Sequence, residues 1–203
     1  MPNGPAGEAA LAECLDVNRE RLLRLIGFRM HAQLRGRVDS EDVLQEAYLA
    51  AAKRYHHYEA ALNVSLFIWV RSVVLQTLID VHRHHLGTQK RDPRREVHLH
   101  SRPYAQASSA SIVLELTGNL TSPSQAVARG DAVAVVRQAI EGMGEMDREV
   151  LALRHFEELT NREVAEVLGI EQKAASIRYM RALKRLRELL ASVSEFRERI
   201  GNA

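Results

Sequence analysis

Apolar residues recur at three- and four-residue steps along most of this chain, the period of helices that bury one face. After a loose start containing proline and glycine, Leu11, Leu15, Leu22, Leu25 and Ile26 describe a first amphipathic helix that runs toward a turn at Gly36. Asp39 stands where it can cap a second helix, in which Val43, Leu44, Ala47 and Ala51 share a face. The stretch RYHHYEAALNVS breaks the pattern and reads as a loop rich in aromatic and polar groups. A long third helix follows, with Leu66, Trp69, Val70, Val73, Val74, Thr77, Leu78 and Val81 toward a core. It ends in HRHHLGTQKRDPRRE, where imidazoles and guanidinium groups crowd together.

Around Pro93 the periodicity fades. Pro103, the Ser/Ala run at Ala107–Ser111 and the turn pair Gly118-Asn119 mark a flexible linker, with one short helix at Ile112–Leu116. Helical order resumes with Ser122 as cap, Pro123 at the first helical position and Gln125 completing a capping box, in a helix to about Ile140. A Gly142–Gly144 turn leads to Asp147 and a helix carrying Val150, Leu151, Leu153 and Phe156. The expected fold is all-α: two small helical bundles, residues 8–91 and 122–192, joined by a linker over 92–121. No repeat relates the two halves.

The stretch TNREVAEVLGIEQKAASIRYMRALKRLR has the form of a helix-turn-helix. Thr160 and Glu163 make a capping box, Val164, Val167 and Leu168 mark a buried side, and Ala165 is small where two helices meet. Gly169 falls where a helix stops on a left-handed residue, and Ile170 plugs the corner. In the helix that starts near Glu171, Ala175, Tyr179, Ala182, Leu183, Leu186 and Leu190 form the inward stripe. Lys173, Ser176, Ile177, Met180, Arg181 and Lys184 fall outside it. With Arg178 and Arg185 the helix is basic, and no acid occurs from Lys173 to Arg187. A helix lying in a DNA major groove needs such cations for phosphates, and short polar or apolar groups for base edges. A solvated basic helix is the bland alternative; Ile177 and Met180 on the outward side speak against it.

Composition narrows the class. The 203 residues are 46% hydrophobic and 27% charged with a net charge of +2, ordinary for a soluble protein, so any nucleic-acid role must rest on local patches. A single cysteine, Cys14, excludes an intrachain disulfide and a cysteine-based zinc site, and reads as a small buried apolar residue. With no apolar run long enough to span a bilayer and no signal peptide at MPNGPAGEAA, the expected location is the cytoplasm, with no membrane partner. The acids at the start of the second helix suit its dipole, so local helix stability alone would account for them. The basic end of the third helix suits a phosphate backbone, although a solvated helix end explains it as simply. A metal enzyme built on His82, His84, His85, His98 and His100 fails on spacing, since no HExxH occurs and two of these lie in the linker. No cofactor, metal or catalytic residue is expected.

The order of these features resembles the extracytoplasmic-function sigma factors, the small two-domain members of the bacterial RNA polymerase sigma family. The matching residues are VDSEDVLQEAYLAA, then Trp69 and the Leu78-Ile79-Asp80 step before the basic helix end. In the second half they are MDREVLALRHFEELTNREVAEVLGIE and the closing RALKRLREL. A helix-turn-helix alone is common to many repressors; the acidic helix upstream of a Trp-containing helix is more specific. The resemblance implies that Asp39, Glu41, Asp42, Gln45 and Glu46 contact the beta-prime clamp helices of core RNA polymerase. It places promoter minus-ten recognition and melting at Tyr55, Tyr58, Asn63, Trp69, Gln76, Asp80 and Arg83, where stacking faces and an amide suit an unstacked base. On the residues alone, Trp69 is rather a core residue and the two tyrosines serve equally as anchors. Minus-thirty-five recognition falls to Lys173, Ser176, Ile177, Arg178, Met180, Arg181 and Lys184. The partners implied are core polymerase (clamp helices and beta flap), promoter DNA and an anti-sigma factor, with the free chain a monomer. The chain departs from the family pattern where Leu75-Gln76 replaces an Arg-Asn pair and Ala174-Ala175-Ser176-Ile177 replaces Thr-Val-Lys-Ser, so no promoter consensus carries over. The rival reading is a free-standing repressor or activator, which would be a dimer on paired half-sites.

Overall fold

The computed structural model describes residues 5–31, 34–60, 64–86, 112–113 and 126–201, and among these every regular element is helical. The chain divides into two compact units, Met1–Ala105 and Gln106–Ala203. Most of the expected linker, the Ser122-Pro123-Gln125 cap and the end of the short helix at Ile112–Leu116 lie outside the described residues; Ile112 and Val113 are helical and buried. No described helix is long and apolar enough to cross a membrane.

The first unit packs three helices against one another: Pro5–Arg29 (α1), Ser40–Ala60 (α2) and Leu66–Leu86 (α3). Its core joins Leu11, Leu22, Leu25 and Ile26 to Val43, Ala47 and Ala51, and to Val70, Val74 and Leu78. Each buried aliphatic side chain contributes about 1.5–3 kcal/mol, which holds three helices in register without a sheet. Between α1 and α2 the backbone turns tightly, with Leu34 buried and its carbonyl accepting from Arg37 N (2.9 Å) and Val38 N (3.1 Å). Asp39 caps α2 as expected: its Oδ1 accepts from the Glu41 backbone N–H at 2.9 Å.

One expectation fails here. The first part of the stretch, residues 54–60, is not a loop, because α2 continues to Ala60; residues 61–63 lie outside the described residues. Tyr55 sits four residues beyond Ala51 and extends the buried Val43–Ala47–Ala51 stripe, so its aromatic ring is core rather than loop chemistry. At Gly7 a Cβ would stand 2.6 Å from Tyr55 Cε1, so α1 meets that ring only through a residue without a side chain. Arg21 stacks over the Phe67 ring at 4.1 Å and ties α1 to the start of α3. Arg71 is fully buried on α3.

The second unit contains Ala126–Glu141 (α4), Glu145–Leu151 (α5), Asn161–Leu168 (α6) and Gln172–Gly201 (α7), with α7 packed on the other three. Ile140, Met143, Val150, Leu151, Leu153, Leu159 and Val164 fill its core. Arg148 Nη1 donates to the Met143 carbonyl at 2.6 Å, which satisfies an acceptor freed where α4 ends. From α5 the chain widens into a π-helical turn, Ala152–Phe156, closed by Glu157 N donating to Ala152 O at 3.1 Å.

The capping box at Thr160 forms in both directions: Glu163 N donates to Thr160 Oγ1 (3.2 Å), and Thr160 N donates to Glu163 Oε2 (2.7 Å). Gly169 ends α6 with φ +62°, in the left-handed region. Gly169→Val, a β-branched residue forced into that region, is expected to destabilise the second unit by about 1–3 kcal/mol. Chemical denaturation of the full chain, followed by circular dichroism, measures it.

Candidate nucleic-acid interface

In the second unit the two sides of α7 separate as their spacing predicts. Ala175 and Ala182 are buried, Tyr179, Leu183 and Leu186 half-buried, while Lys173, Arg178, Arg181 and Lys184 are exposed. Ile177 and Met180 are 43% and 63% exposed, apolar surface that nothing in the second unit's core requires. Ser176 is half-buried between the two sides. Lys184 and Arg185 lie within 3.9 Å of Glu188, so their charge is partly answered from their own helix. No ion pair among the described residues engages Lys173, Arg178 or Arg181, which leaves three cations at the helix's first turns for an outside anion.

What aims this helix is a contact that sequence spacing did not reveal. The Tyr179 ring lies 5.2 Å under the Arg154 guanidinium, and its hydroxyl is 2.9 Å from His155 Nε2. Arg154 also donates to the Leu159 carbonyl. Both partners come from the π-helical turn, whose extra residue brings consecutive side chains onto one ring of α7. Burial, and then the neighbouring Arg154 charge, push the His155 imidazole below its ordinary range. Held neutral, the ring accepts the Tyr179 hydroxyl at Nε2 in the tautomer that carries its hydrogen on Nδ1, and donates to it in the other. Tyr179→Phe keeps the stacked ring and removes this bond, so about 0.5–1.5 kcal/mol of stability should go while the exposed face stays intact. Because the folded pKa of His155 is lowered, its contribution is present above the unfolded value and lost as pH falls through the histidine range. Thermal melts of both proteins across that range check the two statements.

In the first unit, Glu41, Asp42, Gln45 and Glu46 are all exposed on the opening turns of α2, with Asp39 at the cap. Arg19 of α1 bonds to Glu41. No hydrogen bond or ion pair among the described residues engages the side chains of Asp42, Gln45 or Glu46. Leu15, Leu44 and Tyr48 line a groove beside these acids, between α1 and α2.

The aromatic residues singled out for base capture are packed together. Tyr55 and Trp69 are 6% and 3% exposed, with ring centroids 6.2 Å apart at 89°, and Tyr58 stands 5.5 Å from Trp69. Of the three, only half-buried Tyr58 shows surface in this state. Asn63 lies outside the described residues. On α3, Gln76 donates to Asp80 at 3.1 Å, and Asp80 is 3.5 Å from Arg83, forming an exposed polar ladder. Leu75, at the first position of the family's Arg-Asn pair, is core. No group of three or more metal-binding side chains assembles among the described residues, and His98 and His100 lie outside them. Cys14 is half-buried, and burial raises its thiol pKa.

A capped short helix, a left-handed glycine corner and a basic helix presenting apolar and cationic groups define a helix-turn-helix DNA-binding unit. Residues 134–186, from within α4 to within α7, match the family Sigma-70, region 4. The RNA polymerase sigma-H factor of Pseudomonas aeruginosa is 24% identical over 144 residues, which cover 71% of this chain and 69% of that protein. The second unit thus resembles region 4 of the bacterial sigma factors, and the wider chain resembles one of them at low identity.

Proposed function

We infer that this chain is an extracytoplasmic-function type sigma factor, which binds core RNA polymerase and directs promoter-specific transcription initiation. The observation that carries the reading is the outward face of α7, with exposed Ile177, Met180 and Arg181 in the part of the helix that the region 4 match covers. A separate three-helix unit with an exposed acidic face supports it. In this reading Asp42, Gln45 and Glu46 meet a basic surface of the polymerase clamp, with Asp39 and Glu41 beside them. Ser176, Ile177, Met180 and Arg181 approach base edges of the minus-thirty-five element, and Lys173, Arg178 and Lys184 its phosphates. Tyr58, Gln76, Asp80 and Arg83 are the groups of the first unit placed to meet the minus-ten strand, with Asn63 beside them in sequence. Tyr55 and Trp69 support that surface from beneath. The work is recognition and strand opening in the cytoplasm; bond-making belongs to the polymerase. The linker, the beta flap contact and an anti-sigma partner belong to the same proposal.

Run-off transcription with purified core polymerase on a genomic library tests it. Discrete start sites that depend on the chain are expected. A dimer that ignores core enzyme and binds paired half-sites would overturn it in favour of a repressor.

A further inference from the structure

The first unit brings together two histidines from distant parts of the chain. His31 follows the end of α1, His82 stands in the penultimate turn of α3, and their ring centroids are 5.1 Å apart at 71°. Arg83, His84 and His85 follow on the same helix end, all exposed. The last turn of a helix concentrates unsatisfied carbonyls, where cations are favoured. We propose that this corner is a phosphate-binding surface for the DNA backbone, and that the His31–His82 pair takes up a proton when the phosphate docks.

Two neutral imidazoles edge to face attract weakly, and two imidazolium ions at that distance repel unless an anion lies between them. In the free chain His82 is held below its ordinary range, first by burial and then by the positive charge that His31 acquires. Besides burial, the charged group that acts on it is His31, from the turn after α1. On α3 itself, Asp80 is engaged with Arg83 and Gln76, and His84 and His85 stack on each other at 5.4 Å. A phosphate set against the pair reverses the balance, since each protonated ring presents N–H donors to its oxygens and the repulsion between them is screened. By linkage the anion favours the protonated pair, so affinity rises as pH falls through the histidine range. Were the rings only a staple between α1 and α3, DNA would leave their titration unchanged.

The proposal rests on the reading that the first unit meets DNA, but its test needs no polymerase. Fluorescence anisotropy of a labelled random-sequence single strand would be titrated with the full chain at fixed ionic strength. Binding should be roughly three- to ten-fold tighter at about pH 6 than at about pH 8. His31→Gln combined with His82→Gln should lose most of that gain. His31→Gln alone, at an exposed site, guards against unfolding of the double variant and should lose part of the gain. Histidine ring resonances give a direct measurement: that of His82 should titrate at higher pH with the oligonucleotide present. Equal pH dependence in parent and variants, assigning the proton to another of the chain's histidines, would overturn the proposal. So would the absence of binding or of any pH dependence. If the pH-linked binding holds while the chain directs no initiation with core enzyme, the sigma reading fails and this one stands.

Discussion

Asp42→Lys combined with Glu46→Lys is expected to lower affinity for core RNA polymerase by roughly 100-fold, about 3 kcal/mol, while leaving the fold unchanged. Both side chains are exposed and neither bonds to another described residue, so the free chain loses no contact when they are replaced. The only local cost is the helix dipole at the start of α2, a few tenths of a kcal/mol per residue. Against a basic partner the same change puts like charges together at the contact, where desolvation removes most of the screening. Glu41 behaves differently. Its carboxylate is already bonded to Arg19, so Glu41→Ala frees an arginine and gives a smaller loss, together with a change at the α1–α2 seam. Competition against a labelled parent chain for core polymerase orders the two variants. Equal affinity of the double variant and the parent would remove the acidic face from the interface, and with it the argument that these acids do more than stabilise their helix.

The helix-turn-helix was legible residue by residue, because every device in it is local. A capping box needs two residues three apart, a left-handed corner needs one glycine, and the inward stripe of α7 repeats with the helix. Where the chain misled, the deciding contact was between helices. Tyr55 and Tyr58 sit in a polar, aromatic stretch that breaks the aliphatic pattern, yet α2 runs through it because the ring of Tyr55 closes against Trp69 and Gly7. A tally of aliphatic positions passes over such a ring; following the i+4 steps from Val43 to Tyr55 would have kept the helix intact. Arg71 and Leu75 show the converse. Both fall off the stripe read for α3, and both are buried, because this helix is covered on two sides, by α1 and α2. The π-helical turn had no signature at all. Its Arg154 and His155 look like ordinary surface charges until the fold sets Tyr179 against them. The same limit hid the meeting of His31 with His82, fifty-one positions apart in the chain. Candidate contacts to a partner are the part least fixed by the folded state, since exposure is all that the free chain records of them.

Arg181→Ala tests how α7 meets DNA, and its expected cost is about 1–3 kcal/mol of promoter-specific initiation, roughly 5- to 150-fold. Arg181 is exposed, forms no ion pair among the described residues, and sits one position from Met180 and four from Ile177. A guanidinium on that face can grip a guanine edge with two parallel bonds or a phosphate with its charge, and the two leave different marks. A base contact makes the loss fall on one promoter position: the variant initiates poorly on the parent's best sequence and discriminates less at that base pair. A phosphate contact weakens every sequence alike and reduces the salt dependence of binding by about one counterion. Lys173 and Arg178 serve as the reference, since both are expected to give the second pattern. Met180→Ala supplies the apolar counterpart, with its loss concentrated where a thymine methyl meets the side chain. Initiation rates on a promoter library, read for all four variants at two salt concentrations, separate these outcomes. A flat response for Arg181 and Met180 together would mean that α7 grips the duplex without reading it, and that sequence choice lies with the first unit.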